Sequence, residues 1–205
     1  MLIIILFFAK TIFEHFMIRI VIFASGSGTN AENLINYFNN SAYATVVRVL
    51  SNNEHAKVLQ RAKRLKIKTK TFSKSDLMSE NTVVDLLKEE ADFIVLAGFL
   101  WRIPLAVIEA FPNRIVNIHP ALLPKYGGKG MYGMHVHRAV KENNESETGI
   151  TIHFVNEHYD EGAIIFQAKT EVASTDTPED IAQKIHQLEY KHFPRIIEET
   201  IVANG

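Results

Sequence analysis

The chain has 205 residues, of which 47% are apolar and 22% charged, and its formal net charge is -1. That length suits one α/β domain and is short for two of ordinary size. The near-neutral charge argues against nucleic-acid binding, which needs a clearly basic face. The lack of cysteine excludes disulfide frameworks, thiolate metal sites and thiol nucleophiles.

Residues 1–16 begin with a run of eight apolar residues, MLIIILFF. The run lacks the basic start and the cleavage site of a signal peptide, and it is too short to span a bilayer. A second methionine, Met17, stands directly before a convincing strand. We therefore expect residues 1–16 to be an N-terminal extension or the result of a start codon assigned too far upstream, with a membrane-surface anchor as the alternative. Residues 17–205 are expected to form a single cytoplasmic domain.

Strand and helix patterns alternate through the first two-thirds of the chain. Parallel strands buried on both faces are typically near-continuous apolar runs, and the sequence predicts strands at 18–24, 45–50, 67–72 (edge-like), 92–97 and 114–118. Helical patterns lie between and after them, at 31–38, 56–65, 75–90, 104–111 and 135–141. A hairpin-like strand pair at 148–155 and 163–170 and a long helix capped by Thr177 complete the chain. The alternation predicts an α/β fold with a doubly wound, mostly parallel, Rossmann-like sheet and helices on both faces.

A glycine-rich turn, SGSGTN at 25–30, follows the first strand and opens the first helix. Its successive backbone N–H groups can converge on an anion, helped by the positive end of the helix. The turn has neither the third glycine of the dinucleotide fingerprint nor the lysine of the P-loop. It is therefore a candidate phosphate cradle, and the alternative is a tight strand–helix turn that binds nothing.

The segment Asn117-Ile118-His119-Pro120 lies at the carboxyl end of a predicted strand, where open α/β sheets hold their sites. Asn117 and His119 are two residues apart, so both side chains point the same way on an extended segment. Acyl-group transfer uses such a pair, because it needs a donor for the developing oxyanion and a group that moves protons. The alternative is a strand-end asparagine and a core histidine without chemical roles.

Two further features concern acids and metals. Asp160 lies in a predicted turn, where an acidic residue usually serves only to stabilise the turn. Its position in the sequence does not show whether it reaches His119. The histidines at 135, 137 and 153 lack the i, i+4 spacing of the zinc helix, and no cysteine supports them. We therefore expect no metal.

Taken together, these segments resemble the phosphoribosylglycinamide formyltransferase family, the folate-dependent formyltransferases of purine synthesis. The resemblance runs from about Met17 to the last helix. The matching segments are SGSGTN (25–30), VLAGF (95–99), NIHPALLPKY (117–126), GITIHFV (149–155), DEG (160–162), IFQ (165–167) and QLE (187–189).

The resemblance implies a formyltransferase fold and transfer of the formyl group of 10-formyltetrahydrofolate, a co-substrate, to the amine of glycinamide ribonucleotide. Asn117, His119 and Asp160 match the catalytic residues of the family. Asn117 would bind the oxyanion, and His119 would act as an imidazolium held by Asp160. No metal is implied, and the partners would be small molecules, with no nucleic acid or membrane; the protein would be a monomer or a homodimer.

The same resemblance implies the binding residues. The ribonucleotide would be bound by Gly26, Ser27, Gly28, Thr29, Asn30 and Glu189. The folate would be bound by Leu100, Trp101, Arg102, Ile103, Pro104, Val155, Asn156, Glu157, His158 and Tyr159. The 98–104 stretch has one residue more than the common form of this motif, and the 127–133 loop is longer than usual, so contacts there can differ from those of the family.

Two kinds of alternative remain. Sister enzymes share the formyl-transfer core: we expect methionyl-tRNA formyltransferase to carry a further C-terminal domain, and formyltetrahydrofolate deformylase to carry an N-terminal regulatory domain. Sugar-amine formyltransferases as a rule lack this phosphate loop. The second alternative is a non-catalytic module that binds a nucleotide or a folate, in which Asn117, His119 and Asp160 would have no chemical role.

Overall fold

A computed structural model of the chain describes residues 17–79 and 81–204. The expected extension at residues 1–16 therefore lies outside the described residues. In the described part, no helix combines the length and the apolar character that crossing a membrane requires.

Seven strands form one sheet in the order β3-β2-β1-β4-β5-β6-β7. Strands β1 to β5 are parallel, whereas β6 is antiparallel to β5 and β7 is antiparallel to β6. The predicted α/β class with a mostly parallel sheet is confirmed. The strands are β1 (Ile18–Phe23), β2 (Ala44–Ser51), β3 (Lys68–Thr71), β4 (Phe93–Leu96), β5 (Ile115–His119), β6 (Glu147–Phe154) and β7 (Ile164–Glu171).

The helices of the described chain are α1 (Thr29–Phe38), α2 (Lys57–Arg64), α3 (Lys74–Met78), α4 (Val83–Glu90), α5 (Leu105–Ala110), α6 (Met134–Glu142) and α7 (Pro178–Asn204). The single helix predicted over 75–90 is wrong: the segment contains two helices, α3 and α4. Helix α3 begins with a capping box formed by Ser73 and Asp76, and it ends because Ser79 adopts an extended backbone.

The inner strand β1 is buried on both faces from Ile20 to Phe23. Its side chains alternate, so Ile20 and Ile22 pack into one core cluster and Val21 and Phe23 into another. The first cluster includes residues of α1, α2, α6 and α7, and the second includes residues of α3, α4 and α5. This arrangement accounts for the near-continuous apolar pattern of the strand.

The order of the strands determines where a ligand can bind. From β1 the chain moves outward to β2 and β3, and then returns to the other side of β1 to form β4 and β5. The carboxyl ends of β1, β4 and β5 are adjacent in register, with Phe23 beside Leu96 and Leu96 beside Asn117. Open α/β sheets bind ligands at such a reversal of strand order.

Candidate active site

A cavity of about 660 Å³ opens at the reversal point of the strand order. It is lined by the ends of β1, β4 and β5, by the loop before α6, and by residues of α6 and α7. The lining residues are 25–30, 97–100, 117–120, 128–133, His137, Tyr159, Asp160, Ile185, His186 and Glu189. The predicted phosphate cradle and the predicted catalytic residues therefore share one cavity.

The 25–30 turn is shaped for close backbone approach. Gly28 is the N-cap of α1 with φ 75°, and no side chain caps the helix. Because the first N–H groups of a helix have no intrahelical partner, those of α1 are left to face the cavity. A Cβ atom at Gly28 would overlap the side chain of Val58, whereas one at Gly26 would meet nothing within 4 Å.

Neighbouring elements hold this turn through its carbonyl oxygens. The Val58 N–H donates to the Gly26 carbonyl at 3.2 Å, and the Arg61 side chain donates to the Ser27 carbonyl at 2.9 Å. Arg61 and Arg64 also pair with Glu32 in the first turn of α1. Helix α2 is thereby fixed against the turn, which stabilises the cradle without occupying its N–H groups.

Asn117 and His119 occupy the end of β5, as the sequence predicts. The Asn117 side-chain nitrogen lies 3.1 Å from Nε2 of His153 on β6. Nδ1 of His153 lies 2.8 Å from the Phe154 carbonyl, which can only accept, so Nδ1 carries the proton and Nε2 accepts from Asn117. From the sequence, His153 was expected to matter only as a possible metal ligand, so its contact with Asn117 was not predicted.

His119 has polar partners at both ring nitrogens. Its Nε2 lies 2.7 Å from the Tyr126 carbonyl oxygen, and its Nδ1 lies 3.5 Å from Oδ2 of Asp160. Burial lowers the pKa of His119, and this effect outweighs the charge of Asp160 and the Tyr126 carbonyl, both of which raise it. At neutral pH the ring is therefore neutral in this arrangement, and an imidazolium forms only when a proton reaches Nδ1.

The Asp160 carboxylate lies near both His119 and His153 and accepts a hydrogen bond from the loop before α6. One carboxylate oxygen lies 3.7 Å from Nε2 of His153, and the other accepts the Gly128 N–H at 2.8 Å. Burial raises the pKa of Asp160, whereas His153 and His119 in their protonated forms and the Gly128 N–H lower it, and together they hold it below its usual value. The structure thus brings Asp160 to His119, which the spacing in the sequence could not establish.

Helix α7 contributes Glu189 to the cavity lining. The Glu189 carboxylate accepts a hydrogen bond from the Asn30 side chain at 2.9 Å, so it lies beside the cradle. Burial raises the pKa of Glu189, because its side chain is 7% exposed. Burial likewise lowers the pKa of His137 to about 4, and its Nδ1 has no hydrogen-bond partner among the described residues.

Only some of the residues predicted to contact the folate lie at the cavity. Leu100 and Tyr159 line the cavity. Trp101 instead packs edge-on against Phe72 and Phe99, with ring centroids 6.2 and 6.3 Å apart, and Ile103 is a core residue. The cavity lining in the described chain also omits Arg102, Pro104, Val155, Asn156, Glu157 and His158.

Several polar cavity or site residues had no role predicted from the sequence, among them Lys129, His186 and Tyr126, and His137 was considered only as a metal ligand. Lys129 and Tyr126 are in the long loop whose conformation no periodic pattern predicts. Across residues 17–79 and 81–204, no group of three or more His, Asp or Glu side chains is arranged to hold a metal ion. The expectation that no metal is needed stays a prediction.

Comparison with known proteins identifies the family. The formyl transferase model matches residues 18–197. A chloroplastic phosphoribosylglycinamide formyltransferase of Arabidopsis thaliana is 39% identical over 186 residues, which cover 87% of this chain and 64% of that protein. The enzyme of the same name from Bacillus subtilis is 32% identical over 195 residues, which cover 92% of this chain and 97% of that protein.

Solved structures agree with these matches. The crystal structure of glycinamide ribonucleotide transformylase 1 from Symbiobacterium toebii has a TM-score of 0.83 and 32% identity, covering 91% of this chain and 89% of that chain. The chain spans 64% and 60% of the length of the relatives from Arabidopsis thaliana and Vigna unguiculata. The resemblance seen in the sequence motifs is confirmed: the chain belongs to the formyl transferase family.

Proposed function

We propose that this protein transfers the formyl group of 10-formyltetrahydrofolate to the amine of glycinamide ribonucleotide, a step of purine biosynthesis. The observation that carries the proposal is the meeting of Asn117, His119 and Asp160 in one cavity with a helix-start phosphate cradle. The names of the relatives support the choice of substrates. Other formyl transferase relatives share the chemistry, so the cradle is what favours a phosphorylated acceptor.

Asn117 would stabilise the oxyanion. When the amine attacks the formyl carbon, a carbon–nitrogen bond forms and the formyl oxygen gains negative charge. One proton of the Asn117 amide is held by His153, and the second can be donated to that oxygen. A fixed donor of this kind is usually worth roughly 10²–10³ in rate.

His119 and Asp160 would move the proton. The attacking amine must lose a proton, and the departing nitrogen of the folate must gain one as its bond to carbon breaks. Because Nε2 of His119 already donates to Tyr126, the free position is Nδ1, which faces the Asp160 carboxylate. A proton taken there forms an imidazolium–carboxylate pair, and the pair can return it to the leaving nitrogen.

The substrates would lie at opposite ends of the cavity. The phosphate of the ribonucleotide would accept hydrogen bonds from the backbone N–H groups of Gly26 to Asn30, and Glu189 would lie beside the sugar of the ribonucleotide. The folate would enter past Leu100 and Tyr159, which line the cavity near the catalytic residues. Contacts from 101–104 and 155–158 remain predictions, and those of Trp101 and Ile103 would require side chains that pack in the core to rearrange.

The direct test is an assay with purified protein, 10-formyltetrahydrofolate and glycinamide ribonucleotide, following loss of the formyl donor by absorbance. Donor loss that requires the ribonucleotide supports the proposal. Loss without an acceptor would indicate a deformylase, and no loss would indicate another acceptor or a binding module. His119→Ala should abolish turnover while the ribonucleotide still binds; an unchanged rate would contradict the role given to His119.

Location and assembly belong to the same proposal. We propose a monomer or homodimer that acts in the cytoplasm on small molecules, with residues 17–205 as one catalytic domain. Size-exclusion chromatography with light scattering measures the assembly, and microscopy of a tagged protein in its own cell measures the location.

A further inference from the structure

The loop residue Tyr126 contacts His119 and a remote glutamate at the same time. Its carbonyl oxygen accepts from Nε2 of His119 at 2.7 Å, and its hydroxyl donates to Oε1 of Glu145 at 2.9 Å. Tyr126 has φ 57°, a left-handed conformation that is uncommon for an aromatic residue. Such a conformation persists only where surrounding contacts hold it, and these two hydrogen bonds hold Tyr126 at its main chain and at the tip of its side chain.

Glu145 is itself well positioned to serve as an anchor. It lies in the turn between α6 and β6, and its N–H donates to the carbonyl of the buried residue Val140 at 3.2 Å. Its carboxylate also pairs with Lys125 at 2.9 Å. The position of the Tyr126 hydroxyl is therefore set by the packing of α6 and β6, outside the cavity lining.

The contact with Tyr126 decides which nitrogen of neutral His119 carries the proton. A carbonyl oxygen can only accept, so Nε2 must be protonated and Nδ1 bare. If the carbonyl moved away, the Nδ1–H tautomer would become the more stable neutral form of the ring. In that tautomer Nδ1 donates to the Asp160 carboxylate, and a hydrogen bond to a charged acceptor is stronger than one to a neutral acceptor. That tautomer could no longer accept a proton at Nδ1.

We propose that Glu145 is a positioning residue for formyl transfer: through the Tyr126 hydroxyl it holds the Tyr126 carbonyl against His119 and keeps Nδ1 free to take a proton beside Asp160. This inference rests on the proposed function for its kinetic consequence. The tautomer of His119 is a property of the protein alone, so it can be measured whether or not the transfer reaction is the right one.

The test uses two disrupting variants, one conservative variant and one control. Tyr126→Phe removes the hydroxyl and Glu145→Ala removes its acceptor. Glu145→Gln keeps an oxygen that can accept from the tyrosine. Lys125→Met removes the exposed ion pair with Glu145 and leaves the tyrosine hydrogen bond in place. The first readout is the ¹⁵N NMR signal of the His119 ring without substrates, and the second is kcat and KM.

We expect Tyr126→Phe and Glu145→Ala to shift His119 toward the Nδ1–H tautomer. Loss of partners that orient a histidine ring at metal sites typically costs roughly 10–100-fold in activity, so kcat should fall about tenfold or more. KM should stay within about twofold, because the cradle is untouched. Glu145→Gln and Lys125→Met should match the unmodified protein in both readouts.

Two outcomes would overturn the proposal. One is an unchanged tautomer in Tyr126→Phe or Glu145→Ala in a protein that circular dichroism shows to be folded. The other is an equal fall of kcat in Lys125→Met, which would mean general loosening of the loop. If the unmodified protein transfers no formyl group, the proposed function fails, while the NMR comparison still decides whether Glu145 positions His119.

Discussion

Asn117 and His153 face each other across strands β5 and β6, with the Asn117 side-chain nitrogen 3.1 Å from Nε2 of His153. The Phe154 carbonyl fixes the proton of His153 on Nδ1, so Nε2 is an acceptor for the Asn117 amide. Because one amide proton is engaged in the plane of the side chain, the direction of the other is fixed. His153 thus positions the group that would stabilise the oxyanion.

His153→Leu should therefore lower kcat about tenfold or more, since the freed amide of Asn117 can rotate away from the oxyanion. Asn117→Leu removes the donor itself and should cost roughly 10²–10³ in kcat. Steady-state kinetics with both substrates measures these values. The exposed residue His55 offers a control, and His55→Leu should leave kcat unchanged. An unchanged kcat in His153→Leu would show that Asn117 needs no orientation.

Asp160→Asn should lower the pKa of His119 further. Burial already lowers this pKa, and the negative charge of Asp160 opposes the effect, so removing the charge leaves burial with less opposition. The asparagine oxygen can still accept the Gly128 N–H, which keeps the loop in place. NMR titration of the His119 ring measures the shift, and kcat should fall with it. Glu161→Gln, at the next position, is the matched control; a His119 pKa that stays constant in Asp160→Asn would contradict the role of Asp160.

The sequence predicted those features that depend on local periodicity. Asn117 and His119 were recognised as a pair because residues two apart on a strand face the same way. Asp160 reaches His119 only through the antiparallel β6 and the turn after it, which no spacing reveals. The folate-binding role of the 101–104 stretch was predicted from a motif, yet the Trp101 ring packs edge-on against Phe72 and Phe99, and a motif carries no information about this long-range packing.

Tyr126 and Glu145 could not be predicted for a related reason. Their hydrogen bond joins a loop to a turn beyond the next helix, so it exists only once α6 has packed on the sheet. The division of the 75–90 segment is a different case, because the capping box of Ser73 and Asp76 stands in the sequence and marks a helix start close to the predicted one. What ends α3 is the backbone of Ser79, and apolar periodicity carries no information about it.

Substitutions at two glycines of the cradle should distinguish an effect on ligand binding from an effect on stability. Gly26→Ala adds a methyl group with open space around it, so the free energy of unfolding should change little, while KM for the ribonucleotide should rise if the phosphate sits there. Gly28→Ala both strains a residue with φ 75° and overlaps Val58, so it should lower stability and weaken binding together. Thermal unfolding and kinetics distinguish the two effects. A normal ribonucleotide KM in Gly26→Ala would place the phosphate elsewhere.

Lys129 carries the one fixed positive charge among the described residues that line the cavity, whereas Asp160 and Glu189 are acids. A phosphate dianion entering this cavity gains from that charge and from the positive end of α1. Lys129→Met should therefore raise KM for the ribonucleotide about tenfold and make KM less dependent on salt, with kcat little changed. Lys125→Met, in the same loop but outside the cavity lining, is the control. A rise in the folate KM alone would assign Lys129 to the folate instead.

His137 should make the protein sensitive to acid. Burial lowers its pKa from 6.5 to about 4, so the unfolded chain binds this proton more readily than the folded chain does. Stability from this source is intact above pH 6.5 and falls as the pH drops toward 4, by at most about 3 kcal/mol. His137→Leu removes the titrating group and the buried Nδ1 that has no partner. Urea unfolding at pH 7 and pH 5 should show a smaller loss for the variant than for the unmodified protein; equal losses would mean that other groups account for the acid sensitivity.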